Sequence, residues 1–134
     1  MKAARIIETC LYVDDLDSAE KFYAQVLGLE QYAKVAGRHV FFRCGEGMLL
    51  LFRAEATEAP GMAGIPAHGA RGAGHVAFEM LREDLKGWQK HLERHGVTIE
   101  SDFTWPGGGR SLYFRDPAGN SIELVTRDTW GLGA

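Results

Sequence analysis

No apolar run in this sequence approaches the roughly 20 residues that a membrane-spanning helix needs. The start, Met1-Lys2-Ala3-Ala4-Arg5, is followed by only Ile6 and Ile7 before Glu8, too little for the apolar region of a secretory signal. A cytoplasmic location with no membrane partner is expected. Basic character is lacking too: 15 Lys and Arg stand against 18 Asp and Glu, a formal net charge of -3, and the basic residues are scattered. Nucleic acid, whose phosphates call for a positive footprint, is therefore not an expected partner. Cysteine is confined to Cys10 and Cys44, far apart and outside any CxxC spacing, which fits reduced thiols better than a disulfide framework or a zinc knuckle.

What is present is a globular composition, 46% hydrophobic and 25% charged, in a length of 134 residues that suits one domain or two small fused units. Residues 6 to 13 are rich in β-branched and aromatic types and read as a strand with Ile6, Glu8, Cys10 and Tyr12 on one face. Asp17 and Glu20 have the spacing of a capping box, and Ala19, Phe22, Tyr23, Val26 and Leu27 then recur at helical spacing up to Gly28. Three strands are expected next, over Gln31 to Val35, Val40 to Cys44 and Met48 to Phe52. Residues 54 to 73, dense in Ala, Gly and Pro, read as a linker or mobile flap, in which His68 and Arg71 are the groups suited to meet a substrate.

The second half repeats the order. A strand over Gly74 to Glu79 puts His75, Ala77 and Glu79 on one face, and a helix follows from about Glu83 to His95 with Leu85, Trp88 and Leu92 as its apolar stripe. Strands are then expected over Val97 to Ser101, Arg110 to Arg115 and Ser121 to Thr126. The pattern is an internal duplication, α+β in class. Two βαβββ modules, about 5 to 53 and 74 to 127, are expected to form a curved, mostly antiparallel sheet with helices on the outer face, together one domain over 1 to 134.

Under that duplication Glu8 corresponds to His75, and Glu123 to Leu50. Three of four equivalent positions thus carry side chains able to hold a metal, and an isolated carboxylate between Ile122 and Leu124 needs a partner. One imidazole and two carboxylates leave positions open on a divalent cation, an arrangement for catalysis more than for structure. Read from the residues alone, His75 is equally a core histidine satisfied by a carbonyl, Glu123 could pair with Arg110, and Glu8 could be a ligand, a base or a rim residue. His91 and His95, four apart on the second helix, and His39 beside a turn read as solvent residues.

The chain resembles the vicinal oxygen chelate superfamily, which includes glyoxalase I, extradiol dioxygenases and the fosfomycin- and bleomycin-resistance proteins. The resemblance rests on Leu11-Tyr12-Val13-Asp14-Asp15-Leu16 running into Phe22-Tyr23 and Leu27-Gly28-Leu29, on Gly74-His75-Val76-Ala77-Phe78, and on Tyr113-Phe114-Arg115-Asp116-Pro117-Ala118-Gly119-Asn120 with Ile122-Glu123-Leu124. It implies a cation held by Glu8, His75 and Glu123, with Fe, Mn, Zn or Mg as the metal, and chelation of vicinal oxygens of a small organic molecule. Glu8 and Tyr113 are the candidate catalytic residues, and Ser111 and Tyr113 resemble positions at which fosfomycin-resistance members hold substrate oxygens. Leu50, Trp105 and Arg110 are candidate substrate contacts, and Leu50 with Met48 and Phe52 would make one wall apolar. Many relatives have His where this chain has Glu8, and glyoxalase I has a metal-binding Glu where this chain has Leu50, which disfavours that reaction. The rival is a metal-free protein that sequesters a drug-like molecule, as in the bleomycin-resistance branch; a scaffold with a degenerate site is a third reading. A homodimer is expected, with the site either shared between chains or held within one.

Overall fold

The computed structural model describes residues 1–59 and 64–133. The chain divides into two compact units, Met1–Gly72 and Ala73–Ala134. Each holds a strand, a helix and three further strands in the βαβββ order, and the strands hydrogen-bond as two four-stranded sheets, one per unit. Most strand pairs are antiparallel. In each sheet one pair is parallel, because the strand that precedes the helix returns beside the last strand, pointing the same way.

In the first unit the order is β1 (Glu8–Tyr12), α1 (Leu16–Gln25), β2 (Glu30–Val35), β3 (His39–Cys44) and β4 (Gly47–Phe52), and the sheet runs β1-β4-β3-β2. Strand parity splits it into two faces. Leu11, Val40, Phe42, Leu49 and Leu51 are buried on the face that α1 covers with Ala19, Phe22, Tyr23 and Val26. The aromatic contact between Tyr23 and Phe42, ring centroids 6.1 Å apart, ties helix to sheet. The helix begins earlier than the Asp17 and Glu20 pair implies. Asp15 is the N-cap, its Oδ1 accepting from the backbone N–H of Asp17 (3.0 Å) and Ser18 (3.2 Å). Burial of Leu16 selects this start, and Glu20 instead forms an ion pair with Lys34.

The expected linker is partly structured. Its residues 60–63 lie outside the described residues, but Ala54–Glu58 forms a short helix, α2, in keeping with the high helix propensity of its alanines. The stretch after it is tied back: the His68 N–H donates to the Thr57 carbonyl (3.0 Å), the His68 imidazole hydrogen-bonds Tyr12, and Arg71 pairs with Glu58. His39, expected at the surface, is buried instead, stacked on Phe41 at 4.0 Å and 11°. An arginine only donates, so the 2.6 Å contact from Arg38 Nη1 makes His39 Nδ1 an acceptor on a neutral ring. Burial, and then the Arg38 charge, push the His39 imidazole below its ordinary range. The stability that depends on the neutral form is therefore present above the unfolded-state value, about 6.5, and is lost as pH falls through the lower folded value. An NMR pH titration is expected to show His39 protonating below an ordinary histidine; titration at or above that range would refute the assignment.

The second unit holds β5 (His75–Glu79), a 3-10 turn (Arg82–Asp84), α3 (Leu85–Arg94), β6 (Ser101–Thr104), β7 (Arg110–Arg115), β8 (Ser121–Val125) and a closing 3-10 turn (Arg127–Trp130). Its sheet runs β5-β8-β7-β6. Leu112, Phe114, Ile122 and Leu124 share one buried face, with Leu92 of α3 also fully buried, and Gln89 of α3 donates to Asp102 on the same face (2.7 Å). Strand β6 begins at Ser101, where the strand expected over Val97 to Ser101 should end. The tight turn closed by the Trp105 N–H on the Gly109 carbonyl (2.8 Å) pairs Thr104 with Arg110, and this hairpin register overrides local propensity.

Gly109 is held by contact. A Cβ there would strike Thr129 Oγ1 and stand 2.8 Å from Thr129 Cα, so the closing 3-10 turn would have to shift. Gly109→Ala is expected to destabilise the protein by about 1–3 kcal/mol, the usual cost of overpacking. Calorimetry checks this, and an unchanged melting temperature would show that the turn yields freely.

Candidate functional site

Ladder register in the second sheet brings the candidate residues together. The parallel pairing of β5 and β8 sets His75 beside Ser121 and Ala77 beside Glu123, and the antiparallel pairing of β7 and β8 sets Tyr113 opposite Glu123. His75, Glu123, Ser111 and Tyr113 thus share the face opposite the buried core. The imidazole and the carboxylate approach each other, with Nε2 of His75 3.3 Å from Oε2 of Glu123. Their settings differ: the Glu123 side chain is 9% exposed and that of His75 50%.

The tautomer of His75 follows from its other contact. Nδ1 lies 3.0 Å from the Ser121 carbonyl oxygen, which only accepts, so Nδ1 carries the hydrogen and Nε2 of the neutral ring holds a lone pair. That lone pair faces a carboxylate oxygen at 3.3 Å, an arrangement that repels unless a proton or a metal cation stands between them. The donor set fits a divalent cation of borderline or hard character, with no thiolate present. The other Glu123 oxygen is occupied: Ser111 Oγ donates to Oε1 at 2.6 Å, and the Trp105 indole Nε1–H donates to Ser111 Oγ at 2.8 Å. Burial, followed by the hydrogen bond and charge of Glu123, pushes the Tyr113 hydroxyl above its ordinary range, with Ser111 beside it acting in the opposite direction. Tyr113 is therefore a neutral hydroxyl at physiological pH, its ring stacked 6.4 Å from that of His75.

The turn between β7 and β8 places His75. The Asp116 carboxylate accepts from the N–H of Ala118 (3.0 Å) and Asn120 (2.8 Å) and from the Asn120 amide (2.9 Å). Gly119 takes a φ of 89°, open to glycine at little cost. The Asn120 Oδ1 then reaches across to accept from the Gly74 N–H at 2.8 Å, while the Ser121 N–H donates to the Gly74 carbonyl at 2.9 Å. The residue before His75 is fixed at both backbone groups.

Not every expected residue joins this cluster. Glu8 belongs to the first unit, exposed on β1 beside Met48, and Leu50 is buried on the same face of that sheet. Among the described residues no group of three or more His, Cys, Asp or Glu side chains is close enough to hold a metal. Arg110 lies on the opposite face of β7 from Glu123 and pairs with Asp102, so it is neither the Glu123 partner nor beside it. Ser111 has no exposed surface and Trp105 is half-buried, and the two are linked by hydrogen bonds to Glu123. The roles of Asp116 and Asn120 escape sequence reasoning: the turn is readable, but the reach of Asn120 to Gly74, 46 residues away, has no local signal. His91 and His95 stay at the end of α3, their rings 4.3 Å apart.

Two four-stranded βαβββ units in tandem, with a histidine and a glutamate on adjacent strands of the second, define a paired-module α+β fold. The chain belongs to the Glyoxalase/Bleomycin resistance protein/Dioxygenase superfamily, whose family model matches residues 5–124. Among solved structures it is similar to lactoylglutathione lyase from Agrobacterium tumefaciens, 42% identical with a TM-score of 0.94, over 98% of this chain and 100% of that one. Among curated proteins it is 31% identical to the glutathione transferase FosA of Serratia marcescens over 117 residues, 85% of this chain and 74% of that protein. A shorter match, 42% over 53 residues, links it to the metallothiol transferase FosB of Bacillus licheniformis, covering 39% of this chain and 34% of that protein. No helix among the described residues is long and apolar enough to cross a membrane.

Proposed function

We propose that this chain is a metal-dependent enzyme acting on a small organic molecule that presents two vicinal oxygens. The observation that carries the reading is the 3.3 Å approach of His75 Nε2 to Glu123 Oε2, a contact that a proton or a divalent cation shared by the two groups would satisfy. His75 and Glu123 would hold a divalent cation, with Glu8 as the third ligand and Fe, Mn, Zn or Mg as the metal. When bound, it supplies Lewis-acid polarisation of substrate oxygens. Glu123 balances charge, His75 donates through one defined nitrogen, and the neutral Tyr113 hydroxyl, hydrogen-bonded to Glu123, stands beside the pair. The apolar side chains of Leu50 and Phe52 on the Glu8 face favour a substrate with an apolar part.

The names of the relatives, a lactoylglutathione lyase, a glutathione transferase and a metallothiol transferase, support a thiol or thiol adduct as a reactant. Leu50, buried and apolar where the family resemblance calls for a fourth, carboxylate ligand, weighs against the lyase reaction itself. Without that carboxylate the site lacks the group that would carry a proton between adjacent carbons. A homodimer in the cytoplasm accompanies the reading. The test is metal analysis of the purified protein and of Glu8→Ala and Glu123→Ala variants, with a thermal-shift screen of small molecules with and without glutathione. Stoichiometric metal lost in both variants is expected. Full occupancy in both, or tight ligand binding indifferent to chelators with no turnover, would sink it.

A further inference from the structure

We infer that Trp105 and Ser111 are positioning residues that lock the Glu123 carboxylate in one orientation, so that Oε2 alone is presented beside His75. The inference rests on the metal-site reading above and adds residues with no direct part in it. Its core is the direction of a hydrogen-bond chain. An indole N–H only donates, so across the 2.8 Å contact Ser111 Oγ must be the acceptor. The single Ser111 hydrogen then points away from Trp105, and Glu123 Oε1 receives it at 2.6 Å. With that bond made, Oε1 is turned toward Ser111, and the other oxygen is the one 3.3 Å from His75 Nε2. Rotating the carboxylate to offer both oxygens would break the Ser111 bond in a place where Glu123, 7% exposed, has little water to replace it.

Both supports are themselves held. Ser111 is fully buried and sits in the ladder opposite Val125 and Phe103. Trp105 is fixed by a turn, its N–H donating to the Gly109 carbonyl and its carbonyl accepting from the Gly108 N–H, each at 2.8 Å, and by an edge contact with Phe103 at 4.9 Å and 75°. The indole is the rigid end of the chain and the carboxylate the end it steers. Ser111, without exposed surface, has no route to a substrate, and its hydroxyl acts through Glu123.

The experiment measures Mn(II) affinity of the full-length protein by electron paramagnetic resonance, beside the melting temperature of the metal-free form, for Ser111→Ala, Ser111→Thr and Trp105→Phe. Outer-shell partners of metal ligands cost roughly 10- to 100-fold in affinity when removed, and Ser111→Ala is expected in that range. Trp105→Phe is expected to weaken binding less, and Ser111→Thr, which keeps the hydroxyl, to restore most of it. A role in packing alone would lower the melting temperature and leave Mn(II) affinity unchanged, and wild-type affinity in both Ser111→Ala and Trp105→Phe overturns the inference. If the wild-type protein takes up no Mn(II), the metal-site reading fails by itself. The chain is then judged from the metal-free protein, in which the Trp105 indole N–H resonance is expected to shift in Ser111→Ala; an unshifted resonance overturns it.

Discussion

Glu123→Ala is expected to abolish divalent-cation binding, lowering affinity by more than about 100-fold, since even residues one shell outside a metal cost about 10- to 100-fold. The carboxylate is the only anionic group within the second unit that faces His75 Nε2, among the contacts of the described residues. Its loss also removes the acceptor of the Ser111 hydroxyl, so the metal-free variant is expected to be less stable by about 1–3 kcal/mol, the cost of a buried polar group left unpaired. Glu123→Gln separates the two effects. The amide oxygen still accepts from Ser111, so stability is expected to be closer to wild type while metal binding remains lost. His75→Ala is expected to weaken metal binding similarly with less loss of stability, because His75 is half exposed and Glu123 is nearly enclosed. Calorimetry of the metal-free proteins together with Mn(II) titration reads both quantities. Retention of tight Mn(II) binding in Glu123→Gln would remove this carboxylate from the site.

The part of this arrangement that follows from period and punctuation is legible in the sequence. Alternation along Arg110 to Arg115 and Ser121 to Val125 places Ser111, Tyr113 and Glu123 on one face, and the β7 bounds agree with those expected. The same alternation puts Arg110 on the opposite face, so parity alone argues against a pairing of Arg110 with Glu123. Cross-strand register is not legible. Whether His75 stands beside Ser121 or a residue away depends on the turn and on Asn120 reaching Gly74, contacts between segments 46 residues apart. Likewise α2 is hidden because the glycines and prolines after it dominate the composition of 54 to 73, although Ala54 to Glu58 has good local helix propensity. The burial of His39 is hidden for a related reason: a position beside a turn says nothing of the ring that stacks on it from two residues along the same strand. Duplication likewise fixes the content of each module, strand by strand, and leaves open how the two sets of strands hydrogen-bond; that they do so as two sheets is decided by contacts outside any local pattern.

Asp116 and Asn120 carry the other large expected effect. Asp116 is 4% exposed and its carboxylate satisfies two backbone N–H groups and the Asn120 amide. Asp116→Ala leaves those donors without that acceptor in a buried turn, and a loss of several kcal/mol is expected, since each buried donor left unsatisfied costs about 1–3 kcal/mol. Asn120→Ala is expected to cost about 2–3 kcal/mol, from a lost buried hydrogen bond and the unpaired Gly74 N–H. The two variants are expected to differ in what else they disturb. In Asn120→Ala the N-terminal end of β5 loses the side-chain clamp on Gly74, so amide exchange at Gly74 and His75 is expected to accelerate beyond the global change in stability. Mn(II) affinity is expected to fall with it, because His75 Nε2 is aimed by the backbone that Asn120 anchors. Asn120→Asp distinguishes loss of the bond from loss of volume: it keeps the size but sets a second carboxylate against Asp116, and is expected to be at least as destabilising as alanine. Denaturant midpoints give the stabilities and hydrogen exchange gives the local term. If Asn120→Ala lowers the midpoint while Gly74 and His75 exchange no faster than global unfolding requires, the turn supports the fold without aiming the histidine.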